Sequence, residues 1–338
     1  MTGIDNEQFV LEELKKQDAK NKKRTEAAKR PAPPPDPEDD AQSELLSTIS
    51  LSDTLPTVPD GYQSMPNIFA ISECFPSYRS RQKKFIENKI VSRNASFELE
   101  YVKGEQMDDR DEDLILKILF LYTRCQVPFD KPLRMKTSDF ISAIGRVSGG
   151  SAYQFTLKRL EVLKNATFAI TTNDFTMNEG IREYFNVLRE LQIADGWITL
   201  KLDPRWLYIY RTDQILFIYY QTRSILRSPH AKVIHKLLCI QSSSRQYISE
   251  DQLIRSLGWD GQRIRDMWKA VTRAMDELVE KRIVVDYEIT VSRRGAKQLA
   301  IAVNQNVLKP GLYRNITNGK ADSQTIEHKP VEKTDDEE

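Results

Sequence analysis

Residues 258–278 read GWDGQRIRDMWKAVTRAMDEL. On a wheel of 3.6 residues per turn, Ile264, Met267, Trp268, Val271, Met275 and Leu278 share one stripe, the pattern of a helix packed along one side. Core packing accounts for Trp268 better than a base-stacking role does. Opposite the stripe lie Gln262, Arg265, Asp266, Lys269 and Arg273. Arg265, Lys269 and Arg273 recur every four residues, so each neighbouring pair repels by about 0.2 to 0.5 kcal/mol. Exposed cations near a helix N-terminus also oppose the macrodipole, by roughly 0.3 to 1 kcal/mol each. A helix shaped for stability alone would carry acids there. The later turns do follow the stabilising rule, with Glu277 four residues before Lys281. The early polar face is therefore expected to meet something negative.

The flanking sequence supplies a context for that face. Upstream, AKVIHKLLCIQ (231–241) is an apolar-striped helix. SEDQLIRSLG (249–258) is a short helix opened by an S-x-x-Q capping box at Ser249 and closed by Gly258. Downstream, RIVVDYEI and QLAIAVN read as two strands around the loop TVSRRGAKQ, which carries Arg293, Arg294 and Lys297 beside Gly295. In the first strand Ile283, Val285, Tyr287 and Ile289 alternate with Val284, Asp286 and Glu288, so the first set is expected to face inward. Helix, short helix, long helix and hairpin in this order make a winged helix-turn-helix, whose long helix enters the major groove while the wing touches backbone. Arg265 suits bidentate contact with guanine and Gln262 with adenine, with Lys269 and Arg273 as further base readers. Arg263, Arg293, Arg294 and Lys297 are the phosphate candidates.

The same pattern runs once earlier. DEDLILKILFLYTR (111–124), TSDFISAIG (137–145) and SAYQFTLKRLEVLKNA read as three helices, the last opened by a capping box at Ser151. Two strands follow, over residues 185–193 and 197–203, joined at Ala194-Asp195-Gly196. Here the long helix is apolar on two sides, leaving only Gln154, Lys158 and Glu161 as a polar strip, and it looks more buried than reading. GRVSGGS (145–151) brings Arg146, Ser151 and bare backbone N–H groups to a helix start, where phosphate can sit, and Lys158 lies on the same helix. No Lys-Ser/Thr pair follows the glycines, so this is no Walker motif. The expected class is α+β: two tandem winged-helix domains, residues 65–226 and 227–310, between disordered tails over residues 1–64 and 311–338.

Charge fits that division. The 338-residue chain has a net charge of only +1, but residues 1–64 hold 8 basic and 13 acidic side chains and residues 311–338 hold 4 and 7. Residues 65–310 keep 38 basic against 29 acidic, which suits an anionic partner for the middle. The first tail, with EELKKQDAKNKKRTEAAKR and PAPPPDPEDD, has too little apolar content to form a core, although residues 6–30 could form a transient helix. Within it QSELLS has the Gln-plus-Leu content of peptides that dock on bacterial sliding clamps, though a plain linker accounts for it better. Three cysteines without C-x-x-C spacing exclude a disulfide framework and a zinc site, and fit a reducing cytoplasm. No signal peptide and no apolar run of membrane length is present. His230, His235 and His328 are too few and wrongly spaced for a metal, and no nucleophile set is recognisable. An enzyme, a cofactor and a metal are therefore not expected.

Several stretches together resemble the TrfA-type plasmid replication initiators, over about residues 65–303. MPNIFAISECF resembles the entry segment, and KGEQMDDRDEDL the lead into the first helix. SDFISAIGRVSGGSAYQFTLKRLEVL resembles the first helix-turn-helix, and KLDPRW followed by SPHAKVIHKLL the passage to the second domain. The resemblance implies binding of direct repeats, or iterons, in a plasmid origin in the bacterial cytoplasm. It also implies a monomer active at the origin with dimers less active, and recruitment of the host initiator and replicative helicase. It places the recognition helix at residues 262–282 and the wing loop at residues 290–298. The tail lacks a clear clamp-binding peptide, where the chain departs from the family. A winged-helix transcriptional regulator is the second reading, and a protein-binding module the third. Two DNA-binding units in one chain argue against the former, and the basic middle against the latter.

Overall fold

The computed structural model describes residues 50, 53–77, 84–144, 150–172, 181–261, 263–293 and 295–311. Residues 1–49, 51–52 and 312–338 of the expected tails, and with them the 6–30 helix, QSELLS and His328, lie outside them, as do Arg146, Gln262 and Arg294. Residues 53–64, expected as part of a disordered tail, are instead packed: Leu55 is buried, and strand pairing begins at Tyr62.

The first half opens with β1 (Tyr62–Pro66), α1 (Asn67–Ala70), β2 (Phe85–Arg93), β3 (Phe97–Glu105) and α2 (Asp109–Arg124). It continues with β4 (Leu133–Lys136), α3 (Thr137–Ala143), α4 (Gly150–Asn165), β5 (Thr167–Thr172), β6 (Arg182–Asn186), β7 (Leu188–Ala194) and β8 (Trp197–Leu202). A connecting stretch follows, made of α5 (Arg205–Thr212), β9 (Ile215–Tyr219) and α6 (Tyr220–Ser224). The second half runs α7 (Pro229–Ile240), β10 (Arg245–Ser249), α8 (Glu250–Leu257), α9 (Ile264–Glu280), β11 (Val284–Val291), β12 (Lys297–Val303) and α10 (Gln305–Leu308).

The repeat seen in the sequence is a repeat of topology. In the second half, β10 pairs with β12 and β12 with β11, all antiparallel. In the first, β4 pairs with β8 and β8 with β7 in the same way. Both hairpins are irregular at the same place, one residue after their first pair: between Leu188 and Glu190, and between Val284 and Asp286. A bulge adds one residue to one strand and turns the following side chains over.

That bulge corrects one expectation. Ile283 and Val284 are both buried, Val285 is 65% and Ile289 45% exposed, and only Tyr287 of the later positions is half-buried, so a simple period of two misplaced Val285 and Ile289. A second correction concerns residues 185–193, expected as one strand. The chain turns at Val187, so that β6 joins a four-stranded sheet in the order β2-β3-β5-β6 and only β7 belongs to the hairpin. Strands β5 and β6 of this sheet are inserted between the long helix and the hairpin of the first repeat, while β2 and β3 precede α2. A third is Ser151, which lies inside α4 as its second residue and not at its N-cap. Ser249, by contrast, caps α8, its Oγ accepting from the Gln252 N–H at 3.2 Å.

The halves share one continuous buried cluster, which includes Phe69, Phe75, Phe168 and Trp206 from the first and Val233, Ile234, Trp268 and Met275 from the second. Acids at the start of α2 are part of it. Asp108 and Asp111 close a capping box there, and Asp111 and Glu112 are fully buried. Buried Arg159 of α4 pairs with Asp111 and, at 3.0 Å, with Glu105. Sequence alone would read such acids as a solvated helix start.

Candidate nucleic-acid interface

Helix α9 begins at Ile264, behind a turn with two left-handed glycines, Gly258 (φ +70°) and Gly261 (φ +72°). Gly258 ends α8: its N–H donates to Arg255 O and that of Trp259 to Ile254 O, the paired closure that favours glycine. Met267, Trp268, Val271, Ala274, Met275 and Leu278 form the buried stripe. Ile264, expected on it, is the first residue of the helix and is 38% exposed. Trp268 is buried and its Nε1 donates to Glu250 Oε2 at 2.5 Å, tying α9 to the start of α8. It is a packing residue, unavailable for stacking on a base.

The exposed face divides by charge. Arg263, Arg265, Lys269 and Arg273 are all exposed. Lys269 reaches Asp266 only at 3.8 Å, and neither Arg265 nor Arg273 makes an ion pair with a described residue. Two acids of the later turns, in contrast, bond to neighbouring segments. Glu277 accepts from the backbone N–H groups of Arg227 (2.6 Å) and Ser228 (3.0 Å), just ahead of α7. Asp276 accepts from Tyr287 Oη at 2.6 Å, and burial together with Asp276 pushes the Tyr287 phenol up to about 12. Two of the four acids of the helix, Asp276 and Glu277, are thus bonded to neighbouring segments, while Asp266 and Glu280 stand exposed beside Lys269 and Lys281.

Beyond α9, the loop between β11 and β12 is a tight turn. Ser292 N–H donates to Ala296 O at 2.8 Å and Gly295 N–H to Ser292 O at 2.9 Å, with Gly295 at φ +80°. Arg293 and Lys297 stand exposed on either side of it. Base-reading candidates Arg265, Lys269 and Arg273 thus occupy one face of one helix, and Arg293 and Lys297 the tip of the hairpin that follows it.

In the first half, Ser151 and Lys158 of α4 are exposed, while Thr156, Arg159 and Leu160 on the same helix are buried. Sequence reasoning missed a further pair. Arg134 of β4 lies over the ring of Trp197 of β8, 4.9 Å from its centroid, on the outer face of the first hairpin. Trp197 is 37% exposed there. An aromatic and a cation at a hairpin end can contact a sugar or phosphate. The alternation Trp197, Thr199, Lys201 against buried Ile198, Leu200 and Leu202 was the available signal.

The two described histidines have side-chain partners. His230 Nδ1 and Ser77 Oγ lie 2.6 Å apart, and His235 Nε2 and Thr222 Oγ1 3.0 Å apart. Burial, aided by the nearby Arg223, holds His235 down to about 3 and hence neutral. Among the described residues no cluster of His, Cys, Asp and Glu could hold a metal, and no helix is long and apolar enough to cross a membrane.

No family model matches the chain, and no curated protein aligns with it. Among solved structures it is similar to two crystal structures of domains 2 and 3 of RctB, one of them a selenomethionine derivative. Each is 14% identical and covers 71% of this chain and 98% of its own, with TM-scores of 0.48 and 0.45.

Proposed function

We propose that the chain is a sequence-specific DNA-binding protein that initiates plasmid replication, built from two tandem winged-helix domains. The observation that carries the reading is the charge on the outer face of α9: Arg265, Lys269 and Arg273 exposed in line along it, Asp276 and Glu277 bonded to neighbouring segments, and a basic hairpin tip after it. In this reading α9 enters the major groove, and Arg293 and Lys297 take phosphates next to it. The first half takes backbone through Lys158 and Ser151 and through the Arg134–Trp197 corner. The resemblance to TrfA-type initiators supports direct repeats as the target, with host initiator and helicase as partners in the bacterial cytoplasm. The protein acts without catalytic chemistry or cofactor, so strand opening draws on binding energy and DNA deformation.

Two DNA-binding repeats in one polypeptide favour an initiator over a transcriptional regulator, which generally gains its second unit by dimerising. The DNA beside the gene separates the two. Direct repeats of about 20 base pairs, roughly two helical turns, next to an A·T-rich stretch fit an initiator. An inverted repeat over a promoter fits a regulator. The deciding experiment is complementation: a plasmid deleted only for this gene should replicate when the protein is supplied in trans. Failure to replicate with wild-type protein present would refute the initiator reading.

A further inference from the structure

The two halves meet at a buried ionic junction. Glu112, from the first turn of α2, is fully buried and accepts from Arg223 Nη2 at 2.8 Å and Lys236 Nζ at 2.5 Å. Asp113 accepts from Arg223 Nε at 2.7 Å and Lys232 Nζ at 2.5 Å. Arg223 also donates from Nη1 to Lys232 O at 3.3 Å. Burial works against the charge on Asp113, but Arg223 and Lys232 hold it below the usual carboxylate range. Arg223 sits on α6 in the connecting stretch, Glu112 and Asp113 on the first helix of the first repeat, and Lys232 and Lys236 on the first helix of the second. One guanidinium therefore binds three elements together.

A second grip lies at the other end of the interface. A Cβ on Gly258 would fall 2.3 Å from Pro76 Cβ, so the entry segment of the first half lies directly against the turn that launches α9. Ser77 bonds His230, and the Lys236 ammonium lies 5.7 Å from the Phe75 ring centroid. Glu277, on α9 itself, holds the backbone of Arg227 and Ser228 between α6 and α7. The turn that launches α9 is thus set against the first half, and its later turns are tied to the link between α6 and α7. Swinging one half against the other would strand buried charges without partners, which is strongly unfavourable.

We propose that Arg223 and Glu112 are positioning residues for DNA specificity: they fix the distance and helical phase between the contacts of the two halves, so that one spacing in the duplex is accepted. The inference rests on the DNA-binding reading above and adds a rule about geometry to it. Neither residue touches DNA in this account.

The test uses the full chain and a duplex selected by it from random sequences, with its two contacted segments mapped by footprinting. Duplexes with 5 and with 10 base pairs inserted between the segments, about half a turn and a full turn, are then titrated. The rigid junction predicts that both insertions reduce affinity to that of a duplex carrying the better segment alone. The 10-base-pair insertion restores phase without restoring distance. A loss of less than about twofold on either insertion overturns the inference, because a flexible tether would give that result. Glu112→Gln should bind single segments as the wild type does while losing at least about threefold of its discrimination between the selected and inserted duplexes. If that variant fails to fold, Glu112→Gln with Lys236→Met, which removes one charge of each sign, takes its place. Unchanged discrimination in a folded variant contradicts the assigned role. Absence of any sequence-selective binding by the wild type would instead refute the reading on which the inference rests.

Discussion

Arg265 is the residue whose role is most sharply constrained. It is exposed on the first full turn of α9, makes no ion pair with a described residue, and stands where the helix dipole disfavours it. Arg265→Ala should lower affinity for the selected site by about 1 to 3 kcal/mol and relax preference at one base pair. Lys297→Ala should weaken selected and random duplexes alike and reduce the salt slope by about one. Equal losses for both variants on random DNA would remove the distinction between reader and phosphate clamp. The roles of Trp268 and Met267 were legible because a stripe of period 3.6 records burial directly. That of Glu112 was not, because an acid in a first turn looks the same solvated or buried until its partners, 111 and 124 residues away in sequence, are known. His235 is a similar case: neutral and enclosed at about 3, it is protonated below its ordinary 6.5 only in the unfolded chain. The unfolded state then binds the extra proton. The contribution of His235 to stability is therefore complete above pH 6.5 and is lost as pH falls toward 3, at about 1.4 kcal/mol per pH unit. His235→Gln should flatten the fall in unfolding midpoint between pH 7 and pH 5 relative to wild type. An identical slope in the variant would show that the enclosed imidazole does not govern it.

At the scale of elements, the three helices and the hairpin of the second repeat could be read from its sequence, since the helices carry clear stripes and the hairpin is bounded by turn residues, but the short strand β10, which completes its sheet, could not. The first repeat was less legible. Strand β2 is mostly exposed, so it shows no alternation, and the β5–β6 insertion separates the long helix from the hairpin that belongs with it. The two bulges are also silent in the sequence, because a bulge is set by which residues of the partner strand compete for the same hydrogen bonds. Turns were legible where glycine is obligatory, and two of them make a comparison. Gly258 and Gly295 both sit at positive φ, but a Cβ at Gly258 would collide with Pro76 whereas one at Gly295 would meet nothing within 4 Å. Gly295→Ala should cost only the left-handed backbone term, about 1 to 2 kcal/mol. Gly258→Ala should cost clearly more, since the entry segment must also move away from the base of α9. Denaturant unfolding of the two variants measures the difference, and equal losses would mean that Pro76 yields freely.

For the whole molecule, the formal charge of +1 conceals how its parts are used. The basic excess lies in residues 65–310, yet many of those cations are already committed: Arg159 to Asp111, Arg223 and Lys236 to Glu112, Lys232 to Asp113, Arg205 to Glu183. The cations left exposed include Arg263, Arg265, Lys269 and Arg273, the Arg293–Lys297 tip, Lys158 and the Arg134–Trp197 corner, with others such as Lys103, Lys136 and Arg189 elsewhere on the surface. Under the proposed DNA-binding reading, composition points only to the sign of the partner's charge. Only the pairing pattern shows which cations are available to it. If these groups displace counterions from roughly six to ten phosphates, affinity should fall about 10³ to 10⁵-fold between about 50 and 200 mM salt. The internal pairs should take no part, since they are buried and salt screens buried pairs much less than exposed ones. Thermal unfolding over the same salt range should therefore shift little while DNA binding collapses. A flat binding curve would show that the exposed cations of α9 and the hairpin do not meet phosphate. A melting temperature that fell in step with binding would show that the loss came from the fold and not from the interface.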